Sequence, residues 1–335
     1  MKFIKLLSSP SFFSIKFNIL NMNKLAVIAL GGNALLRSGQ KGTISEQETN
    51  VYNTCSELVD LIKSGYDIVI AHGNGPQVGN VLLQHEAGEK VFGVPKLPID
   101  IAVAETQGSI GYMIEQQMRN VLHKEDLERD IITIITQVLV DKNDPAFENP
   151  TKPIGPYYTK EDAEKIALDN GSKFHEDPQG RGWRKVVASP RPVRINNRKS
   201  IEALARDGQI VVSVGGGGIP VHYVEKQKLE GVDAVIDKDL ASSMLAAQIR
   251  ADEFYILTDV SKVYINFNTP DQKALDRVTV KEMKEYLADG QFTEGSMAPK
   301  VRAAIEFVEN GGKRCIITQA SELGKQDAGT RIVLS

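Results

Sequence analysis

Two lysines and one aspartate carry the first chemical hypothesis. Lys238 and Asp239 follow the segment GVDAVID and open a helical stretch, and Lys300, directly after Pro299, opens another. The positive end of a helix dipole favours acids over bases at its N-terminus. Lysines at two helix starts therefore make sense if an anion sits opposite them. Phosphoryl transfer requires such an arrangement: cationic groups around the moving phosphoryl, and little covalent work by the protein. Asp239 would hold the two ammonium groups in place and apart. The competing interpretation is a solvated Lys-Asp pair and an unrelated surface lysine.

The glycines support the first reading by their position. Gly31-Gly32-Asn33, Gly73-Asn74-Gly75 and the run Gly215, Gly216, Gly217 and Gly218 each follow an apolar run that reads as a strand, and residues 290–295 form a fourth, less apolar cluster. In open α/β sheets ligands bind beyond the carboxyl ends of the strands. Glycine there lets main-chain N–H groups approach an anion, and a following helix start adds its positive end. Pro76, after Gly75, suits a first helical turn.

Several familiar sites are missing. No GxxxxGK[ST] occurs, which excludes a P-loop. The segment HGNGPQVG (72–79) is spaced one residue off the dinucleotide fingerprint, with Pro76 where a phosphate-facing amide is needed. The protein-kinase motifs HRD and DFG are also missing. The five histidines, at 72, 85, 123, 175 and 222, show no paired ligand spacing, so no protein-built metal cage is expected. His72 reads as a packed strand-end residue. Any magnesium would be held mainly by nucleotide phosphates.

The elements that must position these residues alternate. Residues 24–30, 66–71, 131–137, 209–214, 254–258 and 314–318 are apolar runs of strand length. Val51, Cys55, Leu58 and Ile62 share one face of a 3.6-residue period, in a helix that Ser45 and Glu48 would cap and Gly65 would close. Residues 161–170, 239–250 and 299–309 read as helices, and Thr279 with Glu282 caps a further one. Strand-helix alternation predicts a three-layer α/β/α sandwich around a mainly parallel open sheet. Residues 141–198 break the rhythm with seven of the fourteen prolines and the only tryptophan, Trp183. They read as an inserted, protruding subdomain, because structureless loops of that length are uncommon in compact domains.

Composition bounds the rest. The 335 residues carry a formal charge of −3, so attraction to nucleic acid or anionic lipid is not expected. Two cysteines, Cys55 and Cys315, exclude a disulfide framework and suit a reduced, cytoplasmic setting. No uncharged apolar run approaches the ~20 residues of a membrane helix. Residues 1–21 hold three lysines and no acid, which fits either an organellar targeting segment or an upstream start codon before Met22. The domain proper is expected over 22–335.

Seven segments together resemble the carbamate kinases of the amino acid kinase superfamily: ALGGNALL (29–36), AHGNGPQVGN (71–80), NPTKPIGPYY (149–158), VGGGGIPV (214–221), AVIDKDLAS (234–242), LTDVSKVYINF (257–267) and GSMAPKV (295–301). The likeness covers residues 24–335 in order. GGN in place of GGK at 31–33, with the PTKPIGP segment, favours carbamate kinase over acetylglutamate or aspartate kinases. Only the N-terminal extension departs from the pattern.

The resemblance implies roles residue by residue. Gly31, Gly32, Asn33, Gly73 and Asn74 would line the pocket for the small acid and the transferring phosphoryl, and Gly215, Gly216 and Gly217 would face the phosphates. Lys238 and Lys300 would neutralise phosphoryl charge, oriented by Asp239, and Lys152 would reach in from the inserted subdomain. Asp259, Tyr264 and Met297 would bound the nucleotide. The implied reaction is reversible, ATP plus carbamate giving ADP plus carbamoyl phosphate, running toward ATP in the cell, and the implied assembly is a homodimer. Two alternatives stay open: a kinase of another small carboxylic acid, and a non-catalytic nucleotide sensor.

Overall fold

The computed structural model describes residues 23–335 apart from 38, 178–179, 226 and 326; the expected targeting segment lies outside the described residues. The chain opens with β1 (Leu25–Leu30), α1 (Ile44–Lys63) and β2 (Asp67–His72), followed by α2 (Gly75–Phe92) and α3 (Ile99–Lys124). Then come β3 (Ile131–Thr133), β4 (Gln137–Val140), β5 (Lys152–Tyr158), α4 (Lys160–Asn170), β6 (Lys173–Glu176), β7 (Trp183–Val187), β8 (Pro192–Ile195) and α5 (Arg198–Arg206). The C-terminal half holds β9 (Ile210–Val212), β10 (Ile219–Glu225), β11 (Lys228–Gly231), α6 (Lys238–Gln248), β12 (Glu253–Leu257), β13 (Val263–Ile265) and β14 (Lys273–Leu275). It ends with β15 (Arg277–Thr279), α7 (Val280–Ala288), α8 (Met297–Glu309), β16 (Arg314–Thr318) and β17 (Thr330–Val333).

Eight strands form one sheet in the order β15-β17-β16-β12-β1-β2-β9-β3, parallel throughout except where β17 runs against β16. Side chains alternate across it, as strand geometry requires. Leu25, Val27 and Ala29 of β1, with Phe254 and Ile256 of β12, pack on α6 and α8 through Leu245, Val301 and Phe307. Ala26, Ile28 and Leu30, with Ile68 and Ile70, pack the other way on Val51, Cys55 and Leu58 of α1 and Ile110, Ile114 and Met118 of α3. These two cores make the three layers that the alternating pattern predicts.

Four details differ from the sequence reading. α1 is capped by Thr43, whose side chain accepts from the Glu46 N–H while Glu46 accepts from the Thr43 N–H. The capping box therefore sits two residues before Ser45 and Glu48. The run 131–137 is not one strand: β3 joins the large sheet beside β9, whereas β4 joins a four-stranded sheet, β11-β10-β4-β8. The chain crosses between them at Thr136, whose N–H donates to the buried Gln107 side chain (2.7 Å). α8 begins at Met297, so Lys300 is its fourth residue and not its first. Pro299 is tolerated there because the first-turn N–H groups have no intrahelical acceptor. Residues 290–295 link α7 to α8 and do not follow a strand.

Within 141–198, β5, β7 and β6 form an antiparallel three-stranded sheet with α4 beside it, while β8 pairs with β4 in the four-stranded sheet. The three-stranded sheet rests on α2, where Gly79 and Gly155 cross so closely that a Cβ on Gly79 would lie 2.1 Å from the Gly155 Cα. Ile154 and Val187 from this sheet join Val78 of α2 and Val103 of α3 in a third apolar cluster.

Candidate active site

Parallel strands β1, β2, β9 and β12 end on the same side of the sheet, and the glycine turns follow them there. At the end of β2, Gly73 is covered by the aliphatic stem of Lys238: a Cβ on Gly73 would meet Lys238 Cδ at 3.3 Å. Asn74 is buried, and its Nδ2 donates to Thr106 Oγ1 of α3 at 2.9 Å.

The turn after β9 crowds against both strand-end residues. A Cβ on Gly215 would sit 2.4 Å from His72 Nε2, and one on Gly216 would sit 2.2 Å from Asn74 Nδ2. Gly216, Gly217 and Gly218 also have φ of +64°, +90° and +89°, conformations that favour glycine on their own account. Gln107 clamps the turn, donating to the Gly215 carbonyl at 2.9 Å while also bonding the Thr136 main chain. The turn is thus a packed, hydrogen-bonded unit. Gly216 reaches the cleft, whereas Gly215 and Gly217 lie against His72 and the Ile236 carbonyl.

α6 brings the charged residues in. Its N-cap is Asp237, whose Oδ1 accepts from the N–H groups of Asp239 and Leu240. Lys238 and Asp239 follow at the first turn. Asp239 is 3% exposed and receives Lys238 Nζ on one carboxylate oxygen at 2.7 Å and Lys300 Nζ on the other at 3.1 Å. A buried carboxylate is tolerable only with such pairing. Burial alone would raise the Asp239 pKa, but the two ammonium groups outweigh it and hold the carboxyl far below the usual range. Burial likewise works against the charge of Lys300, but Asp239 reverses the balance and its pKa is raised. For Lys238 burial prevails over Asp239, assisted by the like charge of Lys300, and its pKa is lowered.

Lys152, from β5, donates to Asp237 Oδ2 at 2.7 Å. It lines a cavity of about 230 Å³ with Gly32, Gly73, Asn74, Gly216 and Lys238. A second cavity of about 470 Å³ adjoins the β1 and β12 ends and includes Gly31, Asn33 and Asp259 in its wall. There Asn33 Nδ2 donates to Asp259 Oδ1 at 2.5 Å, and Asp259 lies close enough to Lys300 to favour its charge. Tyr264 on β13 and Met297 at the start of α8 line neither cavity; Tyr264 stacks at a tilt on Phe267, and Met297 packs against the α6–α8 core.

Asp237 and Gln107 are the residues that sequence reasoning missed. Asp237 carried a signal, a capping-type residue directly before a helix. Gln107 carried none. Among the described residues, no group of three or more His, Cys, Asp or Glu could hold a metal ion, and no helix is long and apolar enough to cross a membrane.

A mainly parallel three-layer sandwich, with glycine turns and an Asp-bridged lysine pair at its strand ends, defines the class: the amino acid kinase family model matches residues 24–319, and the chain belongs to that family. The carbamate kinase of Thermococcus kodakarensis is 52% identical over 314 residues, 92% of this chain and 99% of the relative. That of Pyrococcus furiosus is 48% identical over 93% of this chain and 100% of the relative. A solved structure of carbamate kinase from Giardia lamblia bound to AMP-PNP superposes with a TM-score of 0.86 at 44% identity, covering 93% of this chain and 98% of that one. Within the family, this chain falls among the carbamate kinases.

Proposed function

We propose that the protein transfers a phosphoryl group reversibly between ATP and carbamate, forming ADP and carbamoyl phosphate, at the cleft between Gly32, Gly73, Asn74, Gly216 and the three lysines. The observation that carries this reading is the Asp239-bridged pair of Lys238 and Lys300, with Lys238 lining a glycine-walled cavity. Lys238 and Lys300 neutralise charge on the moving phosphoryl, Asp239 fixes their separation, and Lys152 adds a third cation from β5. Preorganised cations in a water-poor site stabilise developing charge without reorganisation. The Gly31–Asn33 and Gly73–Asn74 turns offer main-chain N–H groups to carbamate and the phosphoryl. A few donors and a small cavity suit an acceptor this size, and excluding water protects carbamoyl phosphate from hydrolysis.

Asp259 bounds the nucleotide, while Tyr264 and Met297 stand outside both cavities, and Gly215, Gly216 and Gly217 shape the turn beside the nucleotide phosphates. That the Giardia relative is bound to AMP-PNP supports an adenine nucleotide as the phosphoryl donor. Any magnesium would be held mainly by those phosphates and would supply charge neutralisation there, since the carboxylates of Asp237 and Asp239 are already taken by lysines. The segment 141–198 acts as the lid over the acceptor, and flux runs toward ATP. A homodimer through α3 and the edge strand β3 fits the exposed side chains of Tyr112 and Ile132, and sedimentation velocity tests it. The activity itself is tested by supplying carbamoyl phosphate and ADP and coupling ATP to a fluorescent readout. No ATP, with nucleotide binding intact and no acyl phosphate turned over, leaves the nucleotide-sensor alternative. Turnover of a larger acyl phosphate in preference to carbamoyl phosphate marks a different acceptor.

A further inference from the structure

Asp237 does more than a helix cap requires. Ser, Thr, Asn and Asp all cap helices well, yet only an acid can also pair with an ammonium group. Here one oxygen of the carboxylate serves the Asp239 and Leu240 N–H groups at 2.9 and 3.3 Å, and the other receives Lys152 Nζ at 2.7 Å. Asp239 is fully engaged by Lys238 and Lys300, so Lys152 faces a cluster of like charges with Asp237 as its bonded counter-ion.

Exposed ion pairs contribute little because both side chains must be immobilised. In this pair Asp237 is already held by two cap hydrogen bonds, and the side chains of Lys152 and Asp237 are only 31% and 19% exposed. Lys152 also emerges two residues from Ile154, which is buried in the apolar seat on α2. The apolar seat sets the height of β5 over the cleft, and Asp237 sets where its ammonium group points.

We propose that Asp237 is a positioning residue for the reaction, docking Lys152 against the start of α6 so that the ammonium groups of Lys152 and Lys238 share one cavity, beside the Asp239–Lys300 pair, before substrate arrives. The proposal rests on the role given to Lys152 above, and its test separates the two. Turnover and nucleotide KM are measured for D237N, K152A and the double variant, with thermal unfolding as a control on the cap; D237S, another good cap, replaces D237N if the latter does not fold. The expected result is a kcat lowered about tenfold or more in D237N, the scale on which misplacing a reacting group acts. Nucleotide KM and unfolding midpoint should stay near wild type, and D237N should cost nothing further on the K152A background. Wild-type kcat in D237N alongside an impaired K152A overturns the role of Asp237 alone. A D237N loss that multiplies onto that of K152A also overturns it, since Asp237 would then act through α6. Wild-type turnover in K152A removes Lys152 from the reaction and this proposal with it.

Discussion

Lys238 and Lys300, sixty-two residues apart and on different helices, donate to opposite oxygens of the Asp239 carboxylate at 2.7 and 3.1 Å. The distance between the two ammonium groups is therefore set by one buried carboxylate and not by two flexible stems. K300A removes a cation from the phosphoryl site and leaves Asp239 paired, so kcat should fall on the order of 10²-fold or more while the fold persists. D239N should do two things. It should cost comparable turnover, and it should destabilise the protein by about 3–5 kcal/mol, because two buried ammonium groups lose their counter-ion. Steady-state kinetics with denaturant unfolding of both variants checks this, and a D239N protein of wild-type stability would contradict the bridging role.

His72 supplies a pH dependence. Its ring is buried, with Nδ1–H donating to the Gly73 carbonyl at 2.9 Å. Burial drives its pKa down to about 4, opposed by that hydrogen bond and reinforced by Lys238. An unfolded chain titrates this residue near 6.5, so between about pH 6.5 and 4 the unfolded state binds the extra proton. The contribution is complete above about pH 6.5 and is lost as pH falls through 4, up to about 3 kcal/mol in total. Unfolding midpoints measured across that window should fall less steeply for H72Q than for wild type. Parallel slopes would show that His72 is not the group responsible.

Much of the frame can be read in the residues, for definite reasons. β1 is a continuous apolar run because both faces of a central parallel strand are covered, and α1 shows its buried stripe openly. α3 is hidden because its buried face includes Thr106, Gln107 and Gln117, which interrupt an apolar period. The division of β3 from β4 is hidden because the apolar run continues across it, and only the tertiary contacts at Thr136 separate the sheets. In the site, Lys238 and Lys300 stand out because their type opposes the helix dipole, and Asp239 because it directly follows one of them. Asp237 obeys that preference, and so looks like a cap alone. Gly215 and Gly217 look like phosphate ligands by composition, but crowding by His72 and Ile236 explains them first.

The two cysteines should be inert in the native state. Cys55 is 1% exposed on the α1 face and Cys315 fully buried in β16. Burial pushes the Cys55 thiol up to about 12 and the Cys315 thiol well above its ordinary value. Since the thiolate is the reactive form, iodoacetamide at pH 8 should leave activity intact and label both positions only after denaturation. Rapid labelling of the folded protein, read by mass spectrometry, would show that one of these packed faces opens.

Gly79 provides a test of how the β5 sheet is seated. Its backbone conformation is ordinary, so replacement by Ala carries no torsional penalty and is mildly favourable for helix α2. The added methyl, however, would lie 2.1 Å from Gly155 Cα and 2.4 Å from its nitrogen. Backbone atoms cannot swing aside as a side chain does, so the β5-β7-β6 sheet must lift from α2. That lift moves Lys152, three residues before Gly155, away from Asp237 and from the cavity it shares with Lys238. G79A should therefore lower kcat by about tenfold or more with little change in nucleotide KM, because the nucleotide side of the cleft at Asp259 is untouched. Moving the same methyl to Gly88, an α2 position with open space around it, should leave kinetics at wild type. Equal behaviour of G79A and G88A would mean that the close crossing of α2 and β5 does not govern where Lys152 sits.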